Sequence, residues 1–454
     1  MSVEKIKKLA SIFLLIAVLI LAPPGINYAQ SDILTLDVAV NSAYSDSLID
    51  EKTKLMQKEW DDRLNSAKNQ VNGIEKLMEL DNKIKNIKKY LEEEDYRSMR
   101  LDLVQEDFAD FLLLYGYIDY MELLIIKAEL IENDAYKNYV EHYYNNNEVL
   151  KKYYEFQLNY LPDNLPEEDR INMLSAKESS TTQVAAVIKQ EKAKLEADKE
   201  KLRMDVVKTY SDLIMAQKSL DNAKNNVEES QRVVDKYKNL LDHGMISTLE
   251  YDGAVAELAS KKNEFIKAER VVNKHKTVLN VLMGRAENSP VTIDENIKII
   301  DKVDVSYNDL QEQLEKENIN LFVLRDTVVN PAAAKYKIAC EELKPEDELY
   351  KDIQDEKDKA EMEYAQTLDR YKTAVIQQIR SIRSTQNSSI ELQGEINLMD
   401  QRISLLKSQI KAGMATDLDL LRLQNTYNTL KTNLENLKYA LDYQWQNLQY
   451  TIHY

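Results

Sequence analysis

Cysteine occurs once in the 454 residues, at Cys340, so no disulfide can close within the chain and the fold must hold by packing. Only 8 glycines and 7 prolines are present. A chain of this length built from many short elements needs more turn residues. With Lys, Glu, Leu, Asn and Asp abundant, the shortage argues for a few long helices. The four histidines, His142, His243, His275 and His453, fall in separate elements. Without HExxH or paired CxxC they offer no readable transition-metal site. Eight dispersed glycines build neither a GxGxxG turn nor a P-loop. Carboxylates are plentiful, but each falls in a solvated helical pattern. No catalytic residue, metal or cofactor is read, and the chain is not read as an enzyme. Basic charge is short as well, with 60 Lys and Arg against 78 Asp and Glu and a net charge of −18. Phosphate contacts need a basic face, so this balance argues against a nucleic-acid partner.

What is present begins with an export signal. Lys5, Lys7 and Lys8 precede an apolar core, Ser11–Ala22, and Asn27-Tyr28-Ala29 offers a small residue for cleavage. That core is short for a spanning helix. No cysteine follows it, so a lipid anchor is not expected. Residues 1–29 are read as a signal peptide.

The stretch that organises the rest is 402–452. Ile403, Leu406 and Ile410 lead to Ala412-Gly413-Met414-Ala415-Thr416-Asp417. Leu420, Leu423, Tyr427, Leu430, Leu434, Leu437 and Leu441 then alternate by three and four, which is a heptad seam. Gly413 suits the left-handed end of one helix, and Thr416 or Asp417 suits the cap of the next. A tight antiparallel helical hairpin is expected. The same pattern stands 169 residues earlier, around Gly244. That offset carries Met245 to Met414, Leu249 to Leu418 and Glu250 to Asp419. It also carries Ala254, Leu258, Phe265, Ala268, Val272 and Leu279 onto Leu423, Tyr427, Leu434, Leu437, Leu441 and Leu448. Turn and heptad phase hold together over the whole span, so the chain is a tandem duplication of one long-helix unit.

In chain order, Ile33–Ala43 reads as a short strand-like lead into a helix capped by Thr35 or Asp37, with the helix running to about Glu94 and Gly73 a weak point. A second helical stretch, 98–160, holds the apolar segment Phe108–Ile126. Asp110, Asp119 and Glu122 interrupt that segment, which favours burial over a membrane span. The tyrosines from Tyr136 to Tyr160 suit packing between helices, or anchoring at a membrane interface. Leu161–Pro166 is a break. A single helix from Glu167 to Leu241, loosened at Ser179-Ser180-Thr181-Thr182, would be on the order of 100 Å long. The hairpin at Gly244 and a returning helix to about Gly284 follow. The expected division is a first repeat over 30–285, a linker over 286–305 with a short extended piece, and a second repeat over 306–454. The second repeat opens at the capping cluster Ser306–Asp309 and continues through Asn320 to Asn330-Pro331. Lys344-Pro345-Glu346-Asp347 breaks it before a helix over about 346–411.

These features together resemble the TolC-type outer-membrane efflux proteins. Leu34-Thr35-Leu36-Asp37-Val38-Ala39-Val40 with Ala43 looks like that family's opening segment. Val206-Val207-Lys208-Thr209-Tyr210-Ser211-Asp212-Leu213 looks like its "V..aYxdL" stretch, and Leu279–Gly284 like its "LnxLxG" close. The blocks at Gly244–Leu258 and Gly413–Tyr427 look like its glycine hairpins. The resemblance implies an all-α protomer of long antiparallel coiled-coil helices in two tandem repeats. It also implies a homotrimer closing an α-barrel, and an outer-membrane or envelope duct that works with a periplasmic adaptor and an inner-membrane efflux transporter. The entrance and adaptor-docking role then falls on Gly244, Met245, Ser247, Leu249 and Glu250, and on Gly413, Met414, Thr416, Leu418 and Asp419. One departure stands out. The family carries strand pairs for a membrane β-barrel, each strand about ten alternating residues long. Near 161–185 and 331–346 the chain has no such pattern beyond one poor candidate, Thr182–Lys189. Little or no β-barrel is expected. An extracytoplasmic coiled-coil scaffold remains the alternative.

Overall fold

The computed structural model describes residues 33–93, 111–114, 146–160, 165–300, 302–304 and 306–454. Over these residues the chain is all-α, with long helices packed antiparallel. In order they are α1 (Leu36–Asp46), α2 (Ile49–Glu93), α3 (Asn147–Tyr160), α4 (Glu167–Asp242), α5 (Thr248–Leu282), α6 (Tyr307–Glu317) and α7 (Ile319–Leu324). A π-turn (Arg325–Val329), α8 (Asn330–Glu342), α9 (Glu348–Lys411) and α10 (Asp417–His453) complete the chain. The 76 residues of α4 contain neither glycine nor proline, and α9 runs 64 residues with Gly394 alone. The described residues form two compact units, each assembled from stretches far apart in the chain.

The first unit takes 33–52, 194–314 and 372–454 from the described residues. Its core sets Ala39 and Ala43 of α1 against Val206, Tyr210 and Leu213 of α4, against Leu279 of α5 and against Met283, the residue that caps α5. The extended lead and the extended piece of the linker pair with each other: Leu34 forms a parallel bridge with Ile293, with Leu34 N–H donating to Thr292 O at 2.8 Å. The Tyr210 hydroxyl locks that bridge, lying 2.6 Å from Leu34 O and 3.0 Å from Asp294 N. Burial pushes the Tyr210 phenol up to about 12.

The duplication reaches further along this core than the hairpins. Under the same offset Val206, Tyr210 and Leu213 become Val375, Ile379 and Ile382, all buried. Val272, Leu279 and Met283 become Leu441, Leu448 and Ile452, also buried. Positions related by the offset are thus buried alike.

The second unit takes the described residues of 53–193 together with 315–371. Trp60, 1% exposed, donates from Nε1 to Glu191 at 2.6 Å, and Arg63 reaches the same carboxylate at 2.9 Å. The Arg63 guanidinium, with help from Trp60, holds the Glu191 carboxyl below its ordinary range. Asp81, 2% exposed, accepts the Leu165 N–H at 3.1 Å and faces Arg170 at 3.8 Å; Arg170 also meets Glu342 at 3.5 Å. Ile171 packs with Ile338, Ala339 and Ile353. Phe111 meets Tyr153 edge-on, with ring centroids 5.1 Å apart, and Tyr153 and Tyr154 are fully buried. For these two tyrosines packing holds; Tyr136, Tyr139, Tyr143 and Tyr144 lie outside the described residues.

Several expectations about helix ends change. The first helix breaks at Ser47–Leu48 rather than continuing toward Glu94. Leu48 takes a left-handed φ of 55°, and the Ser47 hydroxyl donates to Tyr44 O at 2.8 Å, competing with the helix ladder. At Gly73 α2 continues without a break. Nor is α4 loosened at Ser179–Thr182: the Ser179 hydroxyl folds back onto Ser175 O at 2.8 Å and leaves the ladder intact. The helix from Ser306 breaks at Asn318, whose side chain caps α7 by accepting from Asn320 N and Leu321 N. Pro331 does not end a helix. It sits in the first turn of α8, where its missing N–H is tolerated, after the π-turn has re-spaced the ladder. Thr182–Lys189 is helical, as are the described residues 167–185 and 331–342, so no strand forms at either place.

Candidate functional site

Both glycine turns fold by the same hydrogen bonds. At the first, Gly244 takes a φ of 70°, its N–H donates to Leu241 O, and Met245 N–H donates to Leu240 O, each at 2.8 Å. At the second, Gly413 takes 74°, its N–H donates to Ile410 O, and Met414 N–H donates to Gln409 O, each at 2.9 Å. This is the double bond pattern of a helix ended by a left-handed glycine. The helix that follows opens with a reciprocal cap in both cases. Ser247 and Glu250 exchange bonds at α5, and Thr416 and Asp419 exchange them at α10. Thr416, not Asp417, is therefore the second cap. The Ser247 backbone and then side-chain hydrogen bonds pull the Glu250 carboxyl below its ordinary value. The Thr416 side chain and then backbone do the same for Asp419, with smaller help from Arg422 and Lys236.

Locally the two turns present the same chemistry. Met245 is 70% exposed and Met414 75% exposed, each held outward one residue past its glycine. The matching leucines differ: Leu249 is 81% exposed, whereas Leu418 is half-buried. No added Cβ would meet anything within 4 Å at Gly244 or Gly413, so these glycines serve the turn and not a close approach.

A polar ladder joins α4 to α10 behind the turns. Glu229 accepts from Arg422 Nε at 3.2 Å and from Asn425 Nδ2 at 2.7 Å. Asn222 donates to Thr432 at 3.0 Å, and Lys218 pairs with Glu435. A groove of about 460 Å³ lies beside it, lined by Glu229, Tyr237, Glu257, Lys261 and Arg422 among others. The sequence reading missed this ladder. A signal was available: the heptad seam of α10 carries Asn425 and Arg422 beside its leucines, an odd choice unless a polar partner faces them. Among the described residues no cluster of His, Cys, Asp and Glu could hold a metal ion, and no helix is long and apolar enough to cross a membrane.

No protein-family model and no curated protein matches the sequence. Solved structures do. A membrane protein from Pseudomonas aeruginosa is 13% identical over 64% of this chain and 73% of its own, with a TM-score of 0.46. The outer-membrane protein VceC of Vibrio cholerae is 14% identical over 63% and 75%, with a TM-score of 0.43. The CmeC outer-membrane channel of Campylobacter jejuni is 13% identical over 63% and 67%, with a TM-score of 0.41. Two of these three matched structures are outer-membrane proteins. Among the described residues no strand forms apart from the isolated Leu34–Ile293 bridge.

Proposed function

We propose that the chain is one protomer of a passive export duct in the cell envelope, a homotrimer whose helical hairpins form the entrance. The hairpins receive a periplasmic adaptor that works with an inner-membrane efflux transporter. The observation that carries this reading is the duplicated hairpin: two turns with the same hydrogen bonds and caps in one compact unit, each ending in an exposed methionine. An exposed Met at a rigid turn is a small, adaptable apolar knob for a partner helix. In this role Gly244 and Gly413 set the turn, Ser247–Glu250 and Thr416–Asp419 stiffen it, and Met245, Leu249, Met414 and Leu418 make contact. Residues 1–29 would direct export, and the two repeats, 30–285 and 306–454, would each supply one hairpin to the ring. No catalytic step and no cofactor is part of the proposal.

The helical state of 167–185 and 331–342 favours a second reading, an envelope scaffold that kept the helical repeat. Mass by light scattering, with and without detergent, together with negative-stain imaging separates the two. A trimer with a central lumen in end view is expected. A rod-like monomer or dimer without a lumen would refute the duct and leave the scaffold.

A further inference from the structure

Methionine stands one residue past the glycine in both turns, at Met245 and Met414. Under the offset that relates the turns, no other described methionine falls on a methionine: Met204, Met215 and Met283 land on Thr373, Ser384 and Ile452. Apolar positions of the following helices also differ between the copies, with Leu258 against Tyr427 and Val272 against Leu441. Leucine is plentiful in α10 and would give each turn the same apolar knob. What a leucine lacks is the oxidisable sulfur.

The two side chains are also placed to react. They are the most exposed of the described methionines, with Met362 third at 56%. Met78, Met204, Met215 and Met283 are buried, and Met56, Met173 and Met399 are half-buried. Burial shields a thioether, because an oxidant must reach the sulfur lone pair. The backbone of both turns is meanwhile fixed without help from these side chains. The Met245 and Met414 N–H groups close the helix ends, and the reciprocal caps start the helices that follow. An oxygen added to either sulfur therefore changes an exposed side chain and breaks none of those bonds.

We infer that Met245 and Met414 form a paired, reversible oxidation site whose co-substrate is a peroxide. The sulfur lone pair attacks one peroxide oxygen, and the S–O bond forms as the O–O bond breaks. With hydrogen peroxide the departing oxygen takes up the proton and leaves as water. The thioether is oxidised to the sulfoxide and the peroxide is reduced. A dithiol-dependent methionine sulfoxide reductase reverses the step: its two thiols become a disulfide, and the sulfoxide oxygen leaves as water. The sulfoxide is polar, so each turn loses its apolar knob while its fold stays, and it holds a partner helix less well. That last consequence rests on the docking role proposed above. The oxidation site itself stands on exposure and turn geometry alone.

The test uses the full chain with Cys340→Ser, so that the exposed thiol consumes no oxidant. Hydrogen peroxide is titrated in, oxidation is mapped by peptide mass spectrometry, and helix content is followed by circular dichroism. Met245 and Met414 should keep pace with the exposed Met362 and convert at least about tenfold faster than Met204, Met215 and Met283, with helix content unchanged. Added reductases of both sulfoxide stereospecificities should restore both residues. Equal conversion of buried and turn methionines, loss of helix as the turns convert, or sulfoxides that the reductases leave in place would overturn the site. For the consequence, a photo-crosslinking residue replaces Leu249, the exposed neighbour of Met245, in intact cells. Peroxide should lower the adduct yield on the order of tenfold. It should cause no fall from the starting yield of a chain that also carries Met245→Leu and Met414→Leu. An adduct that survives peroxide, or an equal fall in the leucine chain, would overturn the effect on docking. No adduct under either condition would overturn the docking role instead and leave the oxidation map standing.

Discussion

Replacing Tyr210 by Phe removes one oxygen from the core of the first unit and nothing else. That hydroxyl lies 2.6 Å from Leu34 O, 2.9 Å from Asp294 O and 3.0 Å from Asp294 N. Its single proton serves one carbonyl at a time, and the shorter distance favours Leu34. In return the hydroxyl shares the Asp294 N–H, which also points at Leu34 O at 3.1 Å. After the substitution Asp294 N–H and Leu34 O keep each other, so neither is orphaned. The loss is then about 1–2 kcal/mol, below the full penalty of a buried unsatisfied group. Because Leu34 and Ile293 form the bridge that holds the lead segment, the loss should be local. Amide hydrogen exchange at Leu34 and Asp294 should quicken about 5- to 30-fold. Residues of α2 around Trp60 should be unaffected. Unchanged exchange at Leu34 and Asp294, or an equal rise around Trp60, would refute the reasoning. Alkaline titration gives a second readout. Burial raises the Tyr210 phenol from its ordinary 10.0 to about 12, so the folded protein holds that proton more tightly than the unfolded chain does. The contribution is complete below pH 10.0 and is lost as pH rises toward about 12. Tyr210→Phe should lose less stability than the wild type across that window.

Three further outcomes follow from the turns and caps. Gly284→Ala should destabilise more than Gly244→Ala or Gly413→Ala in chemical denaturation. All three have positive φ, but only at Gly284 would the new Cβ lie 2.3 Å from Asp46 Cγ. At Gly244 and Gly413 the cost should stay near 1–2 kcal/mol, that of a left-handed non-glycine residue in open space. Ser247→Ala and Thr416→Ala should each cost about 1 kcal/mol by loss of the cap. Both caps hold a carboxyl below its ordinary value, at Glu250 and Asp419, so their contribution is present at neutral pH and lost as pH falls through the depressed folded values. The gap between wild type and the alanine variants should therefore narrow in acid without closing, since the Ser247 and Thr416 hydroxyls still accept a backbone N–H, a trend that thermal melts at stepped pH would reveal or deny.

Much of the architecture was legible from residues alone because its determinants are local and repeated. Long helices follow from the lack of glycine and proline between Glu167 and Asp242. The hairpins follow from a glycine flanked by heptads, and their equivalence from one constant offset. Even the poor prospects for strands near 161–185 and 331–346 could be read, since no alternating pattern exists there. Breaks that depend on a single side chain were not legible. Asn318 ends a helix by turning its own amide onto the next one, and Ser47–Leu48 ends another at the residue beside Asp46, whose carboxylate lies against Gly284, far away in sequence.

The sequence by itself determined the helical class and the two turns, since these arise within a few residues of chain, whereas the choice of Thr416 over Asp417 as cap came from the structure. Only the tertiary structure decided which faces meet. Heptad leucines announce that a helix face is buried, but they do not name the partner. It took the packed helices to reveal that α4 meets α10 through Glu229, Arg422 and Asn425, and that Tyr210 ties Leu34 to Asp294. Those contacts join residues 84 to 196 positions apart. Their specificity lies in the geometry of polar pairs, which periodicity does not encode.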